Sequence, residues 1–127
     1  VSLKIIKPDE PFYINQAKII PIRVMHGSLP ILGYRINNVA YITDMKTLPE
    51  EEFVLLKDVE CLIVNALRLD SHWTHQNLEE ALAFSTRVGA KETYFIHMSH
   101  HMGLHAEIEE VLPPHVHLAY DGLEIYA

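Results

Sequence analysis

Three short apolar segments of this chain each end in a side chain that can bind a metal ion. The segments cover residues 22–25, 39–43 and 94–96, and the residues that follow them are His26, Asp44 and His97. A side chain at the C-terminal end of a buried strand stands on a rigid support, at the edge where α/β proteins place their chemistry. Neutral imidazole is the commonest metal ligand in proteins, and it also transfers protons near neutral pH. The pattern therefore predicts a metal site at these strand ends.

A second group of histidines follows the apolar strand segment 61–64. His72 and His75 lie between that segment and a helical pattern that starts near Gln76. This spacing predicts His75 in the first turn of the helix, where the helix dipole attracts anions such as phosphate. A surface loop with two exposed histidines accounts for the same residues equally well.

Each of these residues also has an ordinary structural interpretation. His26 can be a satisfied structural histidine, and Asp44 can cap the helix that follows it. Solvent-exposed positions are expected for most of the remaining histidines, which lie in the loop before the last helix and along the strand after it: His100, His101, His105, His115 and His117.

The elements that must position these side chains form a β part followed by alternating helices and strands. Strands are predicted over residues 3–5, 12–14, 18–24, 29–36, 39–43, 61–64, 93–96, 116–119 and 123–126. Helices are predicted from Thr47, over 78–88 with Gly89 as the C-terminal cap, and over 104–112. Asn37-Asn38 and Asp121-Gly122 are typical of tight hairpin turns. The predicted fold class is α/β (α+β), with a mixed or antiparallel sheet and about three helices.

Composition narrows the classes of partner. A chain of 127 residues with 49% hydrophobic content has enough apolar side chains for one domain with a core. The formal net charge of -7 argues against general binding to nucleic acids or to anionic membranes, which require a basic surface. A small phosphorylated substrate stays possible, because a bound metal ion would reverse the local field.

The single cysteine and the first residues of the chain indicate the cellular compartment and the processing of the protein. Cys61 lies in an apolar segment and is expected to be a buried thiol, and a chain with one cysteine suits a reducing cytoplasm. No signal peptide or membrane-spanning apolar run is recognisable. The chain begins at Val1 with residues that resemble an internal strand, so we expect a fragment or a processed product.

The sequence lacks the patterns of covalent catalysis. Ser28, Ser71 and Ser99 each neighbour a histidine, but none lies in a Gly-x-Ser-x-Gly turn. A phosphate-binding glycine loop and a zinc-ribbon cysteine pattern are also missing. The chemistry expected of these residues is therefore hydrolysis by metal-activated water.

Five segments in order resemble the C-terminal half of the metallo-β-lactamase fold, and above all its PhnP-like phosphodiesterase branch. Segments 25–36 and 42–50 are similar to the third metal motif and to the bridging-aspartate motif of the family. Segments 72–78 and 96–100 are similar to the loop with a proton-donor histidine and to the last ligand motif. Segment 119–125 is similar to the closing hairpin.

The resemblance implies a role for each site residue. His26 would bind the first of two divalent metal ions (zinc or manganese), Asp44 would bridge both, and His97 would bind the second. His75 would be the general acid that protonates the departing oxygen, or would contact the phosphate. His72 and His100 would support the ligands or contact the substrate, which in this branch is a cyclic phosphate of ribose.

The resemblance also implies that residues 1–127 are the C-terminal portion of a larger domain. The His-x-His-x-Asp-His motif that supplies four ligands in this family is not present in the sequence. Three ligands cannot complete two metal sites. Half of the sandwich would also leave one apolar sheet face uncovered, which predicts a homodimer, a swapped oligomer or aggregation. We therefore expect the isolated chain to be inactive or nearly so.

Two other functions stay open at this point. A non-catalytic metal-binding or assembly module could use a local histidine cluster; its members would be His97, His100, His101 and His105. Within the hydrolases, the substrate could instead be a thioester, a tRNA precursor or a β-lactam. A proton-donor histidine favours a phosphodiester, because a poor leaving group needs its charge neutralised as it departs.

Overall fold

The computed structural model describes residues 2–127, which form one seven-stranded sheet with helices in its parallel part. The strands are β1 (Phe12–Ile14), β2 (Ala17–His26), β3 (Leu29–Ile36), β4 (Val39–Ile42), β5 (Cys61–Asn65), β6 (Glu92–Ile96) and β7 (Val116–Leu118). The α-helices are α1 (Leu78–Val88) and α2 (His105–Val111), and 3₁₀ helices span Glu50–Leu56 and His100–Met102.

The strands lie in the sheet in sequence order, from β1 to β7. The pairs from β1 to β4 are antiparallel and are joined by tight turns, as at Asn37-Asn38. The pairs from β4 to β7 are parallel and are joined by the helical segments. The predicted class, an α/β fold with a mixed sheet, is confirmed.

One face of the sheet carries the core. The strands contribute alternate residues, such as Ile42, Val64 and Phe95, which are fully buried. The helical segments cover these residues with Leu56 and Phe84, in a single hydrophobic cluster. All crossovers that carry helices therefore pack on the same face.

The opposite face is only partly covered. Tyr34, Tyr41, Ile63 and Tyr94 are direct neighbours across β3, β4, β5 and β6, and they form a row that we call the aromatic row. Each member keeps part of its surface exposed, and Tyr41 is 42% exposed. The predicted apolar, incompletely covered sheet face is thus present.

Three element predictions were wrong. Residues 3–5 are not a strand, and Leu3 and Ile5 are each 93% exposed, because β1 pairs only with β2 and leaves them no partner. The segment 123–126 forms no strand with β7. The helix expected from Thr47 starts only at Glu50, since the Met25 backbone bonds Thr47 and Lys46 in a small bridge.

Helix α1 has the ends that the sequence encodes. The Asn77 side chain accepts a hydrogen bond from the Glu80 N–H at 2.9 Å, and the Glu80 carboxylate accepts from the Asn77 N–H at 3.0 Å. This capping box begins the helix at Leu78, and Gly89 ends it in the left-handed conformation. His75 consequently precedes the helix by three residues, so the prediction that it lies in the first helical turn was wrong.

Candidate metal centre

The C-terminal ends of β4 and β6 bring two of the expected site residues to one edge of the sheet. Asp44 and His97 follow these strands closely, and β5 lies between them with parallel pairing on both sides. Both residues adopt a left-handed backbone, with φ of 60° at Asp44 and 62° at His97. This conformation is uncommon for residues other than glycine and costs of the order of 1–2 kcal/mol per residue, so the surrounding structure must enforce it.

The loop between β5 and α1 supplies the third residue, His75. Backbone hydrogen bonds fold this loop back on itself, from Leu67 N–H to Gln76 O at 2.9 Å and from Leu78 N–H to Arg68 O at 2.9 Å. The Gln76 N–H also donates to Met45 O at 3.0 Å, which fixes the loop against the residue after Asp44. Gln76, the residue after His75, therefore holds His75 beside Asp44.

Asp44 is the centre of the resulting cluster. Its Oδ1 lies 3.0 Å from His75 Nε2 and 3.5 Å from His97 Nε2. Burial alone raises the pKa of this carboxyl, but the hydrogen bond from His75 and the charges of His97, His75 and His26 outweigh that effect and leave the pKa below its ordinary value. The side chain of Asp44 is thus an acceptor that faces a ring of imidazoles.

His26 lies beside this group without joining its closest contacts. Its ring meets that of His75 edge-on, with centroids 4.8 Å apart, and its Nδ1 lies 3.5 Å from Thr74 O. Thr74 lies close to the backbone of the turn after His26, since a Cβ on Gly27 would be 3.1 Å from Thr74 Cγ2. The β2–β3 turn and the His75 loop therefore pack directly against each other.

Thr74 connects the two histidines of the loop. Its hydroxyl lies 2.9 Å from His75 Nδ1 and 3.4 Å from His72 Nδ1. Because Asp44 Oδ1 contacts His75 Nε2, both ring nitrogens of His75 have a partner. Partial burial, then the positive charges of Arg68 and nearby side chains, lower the pKa of His72 below its ordinary value. Trp73 lies between these residues, and its side chain is 90% exposed.

The histidines after His97 do not gather into a second site. His100 and His101 are exposed, and their rings contact each other at a tilt of 41° with centroids 3.9 Å apart; His105 Nε2 faces Leu118 O at 3.1 Å. Over residues 2–127, the group of three or more side chains whose ligand atoms converge consists of Asp44, His75 and His97, within 4.8 Å of one another.

The converging atoms fit a divalent metal ion. Ligands that bind zinc at about 2.0–2.1 Å in tetrahedral geometry lie about 3.3 Å from each other. The two separations that involve Asp44 Oδ1, 3.0 and 3.5 Å, are close to this value, and all three atoms lie within 4.8 Å of one another. A carboxylate with two imidazoles is a donor set that suits zinc and manganese. The close group differs from the expected ligand set, because it contains His75 where His26 was expected.

A comparison with known proteins shows the family of this chain. The beta-lactamase superfamily domain matches residues 1–98. The chain belongs to this superfamily. A crystal structure described as a new diphosphatase from the PhnP family shares 36% identity with it and superposes with a TM-score of 0.90, covering 94% of this chain and 47% of that one. The resemblance to a PhnP-like member of the metallo-β-lactamase fold is confirmed.

Other similar proteins support the fold or share part of the sequence. YhfI from Bacillus subtilis, a metallo-beta-lactamase fold protein, superposes with a TM-score of 0.72 at 21% identity, over 93% of this chain and 53% of that one. The short form of human tRNase Z gives 0.68 at 19% identity, over 88% and 42%. An octanoyltransferase from Porphyromonas gingivalis is 47% identical over 94% of this chain.

The length of these relatives matters for what the site can contain. The chain spans about half the length of the solved structures and 24% of the octanoyltransferase.

No helix within residues 2–127 is long and apolar enough to cross a membrane.

Two residues of the site were not predicted from the sequence. Asn65 ends the buried strand β5 and is fully buried, and Thr74 bonds two site histidines. A polar residue that ends a run of apolar strand residues was the available signal for Asn65. Nothing in the sequence around Thr74 singles it out, because its contacts depend on how the loop folds back.

Proposed function

We propose that this chain carries part of the active site of a metal-dependent phosphodiesterase. The observation that supports the proposal is the convergence of Asp44, His75 and His97 at the carboxyl ends of the parallel strands. Membership of the superfamily supports metal-dependent hydrolysis as the reaction class.

The proposed roles follow the positions of the donor atoms. Asp44 and His97 would hold the metal through Oδ1 and Nε2, and His26 would join them from the end of β2. The metal would supply a Lewis acid that stabilises negative charge and activates water for attack. In the complete site, where other residues supply the remaining ligands, His75 carries a proton on Nε2 for the departing oxygen, while Thr74 holds the other side of the ring. In the isolated chain the same Nε2 is free to act as the third ligand of a single ion. We further propose that the partly buried His72 and the exposed His100 contact the substrate.

A phosphate ester is the substrate class that we favour. The similar structure described as a diphosphatase supports phosphorus chemistry, and the fixed position of His75 suits a poor leaving group. The PhnP-like resemblance extends the proposal to a cyclic ribose phosphate.

Further ligands are needed to complete a dinuclear site. Each metal ion of such a site takes four or more donors, and the cluster offers one carboxylate and two or three imidazoles. We propose that the missing ligands come from a segment outside these 127 residues, which packs on the sheet face with the aromatic row. A second copy of the chain would cover the same face in its absence.

Acyl transfer receives less support from this part of the protein. The octanoyltransferase shares only 24% of its length with the chain, and we propose that its transferase activity belongs to the remainder. Covalent acyl transfer requires an activated nucleophile. The Cys61 thiol is buried, and burial raises its pKa above the ordinary value.

Zinc retention tests the proposed metal site directly. The chain is loaded with zinc, desalted and subjected to elemental analysis, together with Asp44→Asn, His97→Ala and the exposed control His115→Ala. We expect about one zinc ion in the unchanged chain and in the control, because three ligands suit a single tetrahedral ion. Retention should fall at least tenfold in the other two variants.

The same experiment separates the alternative module from the hydrolase. For this purpose His101→Ala and His105→Ala are added to the set of variants. Zinc retention that depends on His101 and His105 but not on Asp44 would contradict the proposal. Turnover of bis(p-nitrophenyl) phosphate is measured in parallel, and we expect the isolated chain to be inactive or nearly so.

A further inference from the structure

Asn65 is a buried polar residue that faces the backbone of the candidate metal centre. It is the last residue of β5 and is fully buried. Its Oδ1 accepts a hydrogen bond from the Met45 N–H at 2.8 Å, and its Nδ2 donates to Met45 O at 2.9 Å. The carboxamide of Asn65 thus pairs with both the backbone N–H and the backbone C=O of Met45, as a residue of a neighbouring strand would.

The contacts around Asn65 reach the chain neighbours of all three clustered residues. Met45 follows Asp44 and is itself fully buried. Met45 O also accepts from the N–H of Gln76, which follows His75. On its other side, Asn65 lies opposite Ile96, which precedes His97, and the next N–H, that of Ala66, donates to Ile96 O at 3.0 Å.

The left-handed turn at Asp44 explains why a side chain takes this role. The turn carries the chain away from the β4–β5 ladder, whose last pair is Ile42 with Val64. Within residues 2–127, Met45 N–H has no backbone acceptor, and Asn65 Oδ1 is its partner. A buried N–H without a partner is costly, so an apolar residue at position 65 would favour another conformation of this turn.

We propose that Asn65 is a positioning residue that holds Asp44 in the left-handed conformation and thereby aims its carboxylate at His75 and His97. Asn65 acts through Met45 and touches none of the proposed ligands. The inference rests on the proposed function for its link to metal binding, but its effect on the Asp44 backbone is independent of metal.

A backbone measurement on the metal-free chain tests the proposal. The one-bond Cα–Hα coupling of Asp44, measured by NMR, distinguishes positive from negative φ. In Asn65→Leu this coupling should move towards the value of negative φ. Zinc affinity, measured by competition with a chromophoric chelator, should fall at least tenfold in the same variant.

Thr93→Val is the matched control. Thr93 is fully buried on β6, and its hydroxyl lies 2.9 Å from that of Ser85 on α1, so the variant also loses a buried hydrogen bond, here between the sheet and the helix. The control should lower the free energy of unfolding and leave both the Asp44 coupling and zinc affinity unchanged. An unchanged coupling in Asn65→Leu, or an equal change in Thr93→Val, would overturn the proposal.

Asn65→Asp covers the case in which the leucine variant does not fold. It keeps the volume and the acceptor for Met45 N–H, and it removes the donor to Met45 O. A shifted Asp44 coupling in this variant supports the positioning role. If both variants fail to fold while Thr93→Val folds, Asn65 is a general determinant of stability and the proposal fails. If the unchanged chain retains no zinc, the proposed function fails, and the coupling still decides the role of Asn65.

Discussion

Asp44 and His97 share the same left-handed backbone conformation at the ends of two strands separated by one other strand. Their φ angles are 60° and 62°, and the side chains that leave these turns approach within 3.5 Å. Strained backbone of this kind persists where the surrounding structure fixes it, and it concentrates at functional sites. The fold therefore carries an unfavourable backbone conformation at the two residues whose side chains are candidate metal ligands.

Substitution at position 44 should reveal this cost. Asp44→Gly is expected to be more stable than Asp44→Ala by about 1 kcal/mol, because glycine adopts positive φ without a Cβ clash. The order should reverse at the exposed helical residue Thr86, where glycine is about 1 kcal/mol worse than alanine. Urea unfolding of the four variants measures both differences. A more stable alanine at position 44 would contradict the left-handed backbone.

Glu52 should make stability depend on pH. It is 2% exposed, and burial together with the neighbouring Asp9 carboxylate raises its pKa, although the Arg23 N–H donates to its Oε2 at 3.2 Å. A raised pKa means that the folded chain holds the proton more tightly than the unfolded chain. This contribution to stability is complete below the ordinary pKa and is lost as pH rises through the raised value.

Glu52→Gln should remove that loss. Relative to the unchanged chain, the variant is expected to gain stability as pH rises from about 4 to 7, by about 1.4 kcal/mol for each unit of raised pKa. Urea unfolding across this pH range measures the gain, and the exposed neighbour variant Glu51→Gln is the control. Parallel pH profiles for Glu52→Gln and the unchanged chain would contradict the raised pKa.

Asn77 should stabilise both α1 and the loop that carries His75. Its Oδ1 caps the helix, and its Nδ2 donates to Leu69 O at 3.2 Å within the loop. Asn77→Ala is expected to lower the free energy of unfolding by about 1 kcal/mol. Asn77→Asp keeps the cap and loses the donor, so it should retain most of the stability while loop amides exchange faster with solvent. Hydrogen exchange that is equal in the Asp variant and the unchanged chain would show that the Leu69 contact contributes nothing.

His117 should fasten α2 to the sheet. Its Nε2 lies 3.0 Å from Glu92 Oε2, its Nδ1 lies 3.3 Å from Glu109 Oε1, and Glu109 Oε2 accepts from the Leu118 N–H at 2.7 Å. His117→Ala is expected to lower stability by about 0.2–1 kcal/mol, the range of solvent-exposed side-chain pairs. Exchange of α2 amides should accelerate, and His115→Ala should leave it unchanged.

The sequence predicted the parts of the fold that local pattern determines. The apolar segments before Asp44 and His97 form strands as predicted, and Gly89 ends α1, because burial and capping are encoded by a few adjacent residues. Leu3 and Ile5 alternate like a strand but have no partner, and pairing is not a local property. The prediction of His75 within α1 failed because Asn77 and Glu80 set the helix start two residues later than Gln76.

The sequence predicted which residues form the candidate site, but it predicted only part of their spatial arrangement. Asp44 and His97 lie at the strand ends where the sequence placed them. The direct contact between His75 and Asp44 depends on a loop that is closed by backbone hydrogen bonds, and these leave no pattern of residue types. The hydrogen bonds that join Met45 to Gln76 and to Asn65 are likewise visible only in three dimensions.

The exposed indole of Trp73 gives this chain a built-in optical probe. Trp73 is the one tryptophan among the 127 residues and stands between His72 and Thr74, so intrinsic emission excited above the tyrosine band comes from the loop that holds His75. An indole in water emits at longer wavelength than one in an apolar contact. A blue shift on adding a phosphate ester, a metal ion or a second polypeptide would therefore report coverage of this loop without any label.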